Sequence, residues 1–134
     1  GLKMGMEVAV ATPAAYRPDP VVLDFAKGYG DAFTLTEDIF TAARDADVIF
    51  TDVWASMGQE GEAAERRKVF EGYQVNEKLL SVAKADCMVQ HCLPAHRGEE
   101  ITEETFEKHA DEIFDEAENR LHAQKAVLVK LLKK

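Results

Sequence analysis

Short apolar runs alternate along this chain with stretches whose apolar residues recur every three or four positions. Met6 to Ala11 is apolar apart from Glu7, Ala32 to Leu35 is a second run, and Asp47 to Val53 holds Val48-Ile49-Phe50 between polar ends. Cys87 to Val89 is a fourth run, leading to His91. Runs of this length, bounded by turn residues, suit strands buried on both faces. The stretches between them read as helices. Gly1 to Gly5 reads as a last helical turn capped by Gly5. Asp19-Pro20 opens a helix, because Asp accepts from the orphan amides and Pro fits the first position. Val22, Phe25 and Ala26 share its face, and Gly28 or Gly30 stops it. A helix from Glu37 to Arg44 has Glu37 and Asp38 in its first turn and a stripe of Ile39, Phe40 and Ala43. Asn76 caps a helix through Ala83, and Thr102 opens another with Glu103 and Glu104 behind it. The last helix is predicted from near Asp115, with Ala117, Leu121, Leu128 and Leu131 in register. Its end, Ala126 to Leu132, is apolar nearly all round and wants a partner on more than one side.

Strands alternating with helices imply parallel βαβ units, and so an α/β fold with a doubly wound parallel sheet. The 134 residues suit one domain with one core. Gly28-Tyr29-Gly30 follows a helix, the wrong context for a dinucleotide fingerprint. A net charge of −9 argues against nucleic acid as a partner, since phosphate binding needs clustered Lys and Arg. No apolar run approaches the roughly 20 residues of a membrane span. The charged stretch Gly61 to Phe70 reads as a solvated helix. Cys87 and Cys92 lie too close on one strand to bridge and match no CxxC pattern, so reduced thiols and a cytosolic-type compartment are expected.

Candidate chemistry gathers where the fourth strand ends. Pro94 cannot donate to a ladder, so the strand should stop near it and present His91, Cys92, His96 and Arg97 at its carboxyl end, where open α/β sheets bind ligands. His91 faces away from Cys92 by alternation and reads as a hydrogen-bonded support rather than a ligand contact. Cys87, His91, Cys92 and His96 are zinc-type ligands, but their side chains diverge along an extended strand, and no metal is expected. Trp54 reads as core or interface. Asp52, ending the third strand, can hold a cationic amine by a charge-assisted hydrogen bond.

His91-Cys92-Leu93-Pro94, followed by Ala95-His96-Arg97-Gly98-Glu99-Glu100, resembles the signature of ornithine carbamoyltransferases. Asp52-Val53-Trp54-Ala55-Ser56-Met57-Gly58-Gln59-Glu60 resembles that family's ornithine-binding loop, and Glu116-Ala117-Glu118-Asn119-Arg120 is a third match. The resemblance runs along essentially the whole chain. It implies that residues 1–134 are an ornithine-binding domain in which Asp52, Ser56 and Met57 bind L-ornithine. Cys92, the Leu93 carbonyl and Arg120 would then address carbamoyl phosphate, with Cys92, Asp52 and Arg120 at the reacting centre. It further implies a cis Leu93-Pro94 bond, no cofactor and no covalent intermediate. A trimer-type homo-oligomer, a role in arginine biosynthesis or the urea cycle, and a site in the cytoplasm or the mitochondrial matrix are also implied.

Other family motifs have no counterpart here: the Ser-x-Arg-Thr loop and His-Pro-x-Gln of an amino-terminal carbamoyl-phosphate domain, and the Asp-Gly-Asn-Asn turn after the first strand of the ornithine domain. The expected sheet is therefore Rossmann-like and three-layered but lacks its first, central strand, between those of Met6–Ala11 and Asp47–Val53. An amino-acid-binding or protein-interaction module of the same fold, without activity, is the alternative reading.

Overall fold

A computed structural model describes residues 1–55 and 60–133. Asp19 accepts from the Val21 amide and Pro20 occupies the first position of α1 (Pro20–Lys27), which ends at Gly28. Gly5, at φ +80°, closes the short 3₁₀ turn Leu2–Met4. Asp38 is the N-cap of α2 (Ile39–Ala43), accepting from Phe40 N, rather than a member of its first turn. The cap outcompetes the helix because its side chain also takes the Thr41 hydroxyl. Asn76 caps α4 (Glu77–Leu80) through Leu79 N, and Thr102 caps α5 (Glu103–Lys108) through Thr105 N. α3 spans Ala63–Val69.

One boundary is corrected by several residues. The last helix, α6, runs Ala110–Leu132 and starts well before Asp115. His109 serves as both the end of α5 and the cap of α6, without Gly, Pro or a side-chain cap hydrogen bond. Such a junction has no turn chemistry to read. Ile113, ahead of the expected start near Asp115, is fully buried.

The strands β1 (Val8–Ala11), β2 (Phe33–Thr36), β3 (Val48–Thr51) and β4 (Met88–His91) form two parallel ladders. β1 pairs with β2, and β3 pairs with β4 in the register Val48↔Met88 to Thr51↔His91. Among the described residues no ladder joins β1 to β3, so each is paired on one side only. The break falls where the sequence reading placed a missing central strand. The core gathers mainly around the second ladder: Ala43, Val75, Leu79, Val89, Ile101, Phe106 and Ile113 are buried together, with Ile39, Phe40 and Ile49 packed on them. α2 also packs on β1 and β2, so it ties the two ladders together.

Apolar surface remains on both flanks. Val22 and Phe25 of α1 line an open hollow of about 310 Å³ with Leu2, Val8, Val10 and Phe33. Beyond Ile113, Leu121, Val127, Leu128, Val129, Leu131 and Leu132 of α6 are all more than half exposed. Among the described residues no helix is long and apolar enough to cross a membrane.

Candidate functional site

The register of β3 on β4 sets the site. Thr51 lies opposite His91, so the next residue on each strand, Asp52 and Cys92, leaves the sheet at the same carboxyl end. Cys92 Sγ donates to Asp52 Oδ1 at 3.1 Å. The same oxygen accepts from Val53 N at 2.7 Å, which holds the carboxylate across the strand end. Asp52 is exposed and Cys92 half-buried.

This thiol is poorly acidic. Burial, then the hydrogen bond to Asp52 and its charge, with Glu116 of α6 adding to them, push the Cys92 thiol up to about 11. It is therefore an S–H donor near neutral pH rather than a thiolate nucleophile. Cys87, the other free thiol, is also raised, first by burial and then by Glu112.

His91 faces the opposite way, as alternation requires, and is fully buried. Its Nδ1 accepts from Leu93 N at 2.9 Å, so the ring proton sits on Nε2 and is donated to Glu100 Oε1 at 3.1 Å. Glu100 Oε1 also accepts from His96 N at 2.5 Å. Burial would raise the Glu100 carboxyl, but hydrogen bonds from His91, His96 and its own amide together hold it below the usual carboxylate range. Leu93 sits between these supports at φ +53°, followed by a cis bond to Pro94. A positive φ is costly for a residue with a Cβ, and the His91 and Glu100 contacts hold the chain in it.

On the β3 side, the chain beyond Asp52 is anchored through Trp54. Its carbonyl accepts from Arg66 Nη1 at 3.3 Å, and its ring stacks on Phe70 with centroids 6.1 Å apart. Arg66 also lies over the Tyr16 ring at 4.9 Å and pairs with Glu62. Trp54 is thus part of a small aromatic cluster, in keeping with its reading as core. Ser56 and Met57 lie outside the described residues. Arg120 stands on exposed α6, one turn beyond Glu116, and makes no ion pair among the described residues. The structure thus brings Asp52 and Cys92 together, with Leu93 next in the chain.

Glu100, Glu116 and Arg66 were missed by sequence reasoning. Glu100 closed the quoted family signature without a role attached, and it stands as an acid directly before the apolar Ile101 and the helix cap Thr102. Glu116 stood in the third family match without a role of its own, and Arg66 had no signal, because a base on a charged helix looks solvated until its neighbours are placed. Cys87, His91, Cys92 and His96 do not converge as one set among the described residues; the ligand-type groups that gather are Asp52, His91 and Cys92, and separately His96, Glu99 and Glu100.

Known proteins resemble this chain in sequence and in backbone. Residues 1–131 match the family model described as aspartate/ornithine carbamoyltransferase, Asp/Orn binding domain. The ornithine carbamoyltransferase of Carboxydothermus hydrogenoformans is 58% identical over 97% of this chain, and that of Pyrococcus horikoshii 55% over 98%. Among solved structures, the anabolic ornithine carbamoyltransferase of Campylobacter jejuni superposes with a TM-score of 0.88 at 45% identity, covering 96% of this chain and 44% of its own. The Pyrococcus furiosus enzyme superposes at 0.82 with 53% identity, covering 95% and 42%. The chain spans about 43% of the length of the curated relatives it matches. Matched in sequence and backbone from end to end, the chain belongs to the aspartate/ornithine carbamoyltransferase family through its Asp/Orn-binding domain.

Proposed function

We propose that this chain supplies the ornithine side of an ornithine carbamoyltransferase, which moves the carbamoyl group of carbamoyl phosphate to the side-chain amine of L-ornithine, giving L-citrulline and phosphate. One observation carries the reading: an acceptor carboxylate, Asp52, stands 3.1 Å from a protonated thiol, Cys92, at the joint carboxyl end of two parallel strands. Asp52 holds the substrate ammonium with Ser56 and Met57 and orients the amine once its proton has left. The Cys92 S–H and the Leu93 carbonyl hold the carbamoyl group, and Arg120 faces the phosphate. The new N–C bond forms as the bond between the carbamoyl carbon and the phosphate oxygen breaks, and the proton shed by the attacking amine leaves on the departing phosphate, so the thiol orients and polarises without becoming covalently bound. No cofactor is needed for this chemistry. The remaining donors come from an amino-terminal carbamoyl-phosphate domain in a trimer-type homo-oligomer, placed in the cytoplasm or the mitochondrial matrix and serving arginine biosynthesis or the urea cycle. Arg120 alone cannot neutralise a departing phosphate, so this chain by itself is inactive in a citrulline assay.

In the enzyme that carries this domain, Asp52→Asn keeps the shape and removes the charge. Charge-assisted hydrogen bonds contribute roughly 1.5–3 kcal/mol, so the ornithine KM should rise about 10- to 100-fold while the carbamoyl phosphate KM stays near its value. Unchanged ornithine kinetics would overturn the assignment. Normal ornithine binding without turnover in that enzyme would favour the inactive binding module.

A further inference from the structure

The turn that follows the Leu93–Pro94 bond carries a group the proposed reaction does not use. The Glu100 side chain is fully buried, and both of its hydrogen bonds fall on Oε1. Its second oxygen, Oε2, is buried without a partner. A carboxylate oxygen shut away from water and left without a donor is costly, and a cation is the partner that satisfies it most fully. One ligand-type atom each from Glu100, His96 and Glu99 lie within 4.8 Å of one another.

The backbone presents these three side chains by construction. Glu99 N donates to His96 O at 3.0 Å, closing a turn, and Gly98 occupies φ +91°, which a side chain rarely tolerates. Gln74 Nε2 then donates to the Gly98 and Glu99 carbonyls at 3.0 and 2.8 Å, and Val75 N donates to Glu100 O at 2.8 Å. The backbone of the turn is thereby pinned, so the three side chains leave it from fixed positions. Glu99 Oε1 receives Arg67 Nε at 2.8 Å, which leaves its other oxygen available.

We propose that His96, Glu99 and Glu100 form a binding site for one divalent metal ion, on the turn directly after the candidate active site. Ligands about 2.0–2.2 Å from a shared ion stand roughly 3–4 Å apart, so small side-chain rotations complete the site. One imidazole with two carboxylates is a borderline-to-hard donor set that suits Mn²⁺ or Zn²⁺. The other gathered set, Asp52, His91 and Cys92, contains a thiol and favours softer ions. Mn²⁺ is therefore the probe that separates the two.

The test is a Mn²⁺ titration of this chain, with free ion followed by electron paramagnetic resonance and the bound ion located by broadening of amide signals. His96 is exposed and Glu99 only partly buried, so His96→Ala and Glu99→Gln leave the core untouched. The wild-type chain should bind one Mn²⁺ and broaden the amides of residues 96–100. Each variant should weaken binding by roughly tenfold or more, and Cys92→Ser should leave it unchanged. The proposal is overturned by no binding at about 1 mM Mn²⁺, by equal affinity in wild type and the His96→Ala/Glu99→Gln double variant, or by affinity that disappears with Cys92. None of these readouts depends on carbamoyl transfer, so the site stands or falls separately from the enzyme reading.

Discussion

At the scale of single residues, the Cys92 thiol turns on what surrounds it. With its pKa pushed up to about 11 by burial and by Asp52, roughly one thiol in a thousand is ionised at pH 8. Alkylation by iodoacetamide should therefore be slow and should accelerate about tenfold per pH unit up to that value. Asp52→Asn removes a nearby negative charge and leaves a neutral amide, a weaker acceptor that can also donate to a thiolate, so the pKa falls and alkylation at pH 8 speeds up. Mass spectrometry of the Cys92 peptide against pH reads this directly. An unchanged or slower rate would mean that the carboxylate does not govern the thiol. This pair was legible in the sequence because each member ends an apolar run, and parallel strands deliver their ends together. Glu100 was not. Its bond to His91 depends on the chain doubling back through Leu93 at positive φ, and neither pattern nor propensity encodes that reversal in a leucine.

At the scale of elements, α6 is two helices in energetic terms. Its first turns bury Ile113 against Val89 and Ile101, while Leu128 near its end is 56% exposed. Ile113→Ala should therefore cost about 2–5 kcal/mol in chemical unfolding, the range for emptying a packed core position. Leu128→Ala should stay within roughly 0.5 kcal/mol in the same experiment at a dilution where the chain is monomeric. Equal losses would show that the distal half is packed in solution. Most elements were legible because their caps are written in the chain: Asp19-Pro20, Asn76 and Thr102 each act where their chemistry places them. The start of α6 was hidden because His109 joins two helices with no Gly, Pro or side-chain cap to mark the junction. The strands were found to within a residue or two, since apolar runs mark the middle of a strand better than its ends.

At the scale of the whole molecule, the fold carries two kinds of unfinished surface: β1 and β3 edges paired on one side, and the apolar end of α6. Unpaired ladder groups and contiguous apolar area both drive association. The isolated chain should self-associate at micromolar concentration by light scattering, and Leu128→Lys should reduce it. A monodisperse monomer would show that these surfaces are covered from within. Patterning anticipated the apolar end of α6, while the gap between β1 and β3 was expected from the family resemblance, whose first-strand motif has no counterpart here. It could not show how the fourth strand is finished. Val89 N, pointing away from β3, donates to Glu112 Oε2 at 2.9 Å, and His109 Nδ1 lies 3.0 Å from the same oxygen. In the vocabulary of polymer chemistry, β4 is an end-capped terminus, whereas β3 is a live one. A strand that adds to β3 finds no second growth point on the far side of that ladder, so growth through the β3–β4 ladder ends at β4. Glu112→Ala uncaps the chain end: the same preparation should then pass from oligomers to continued growth, visible as a rising scattering signal in place of a plateau.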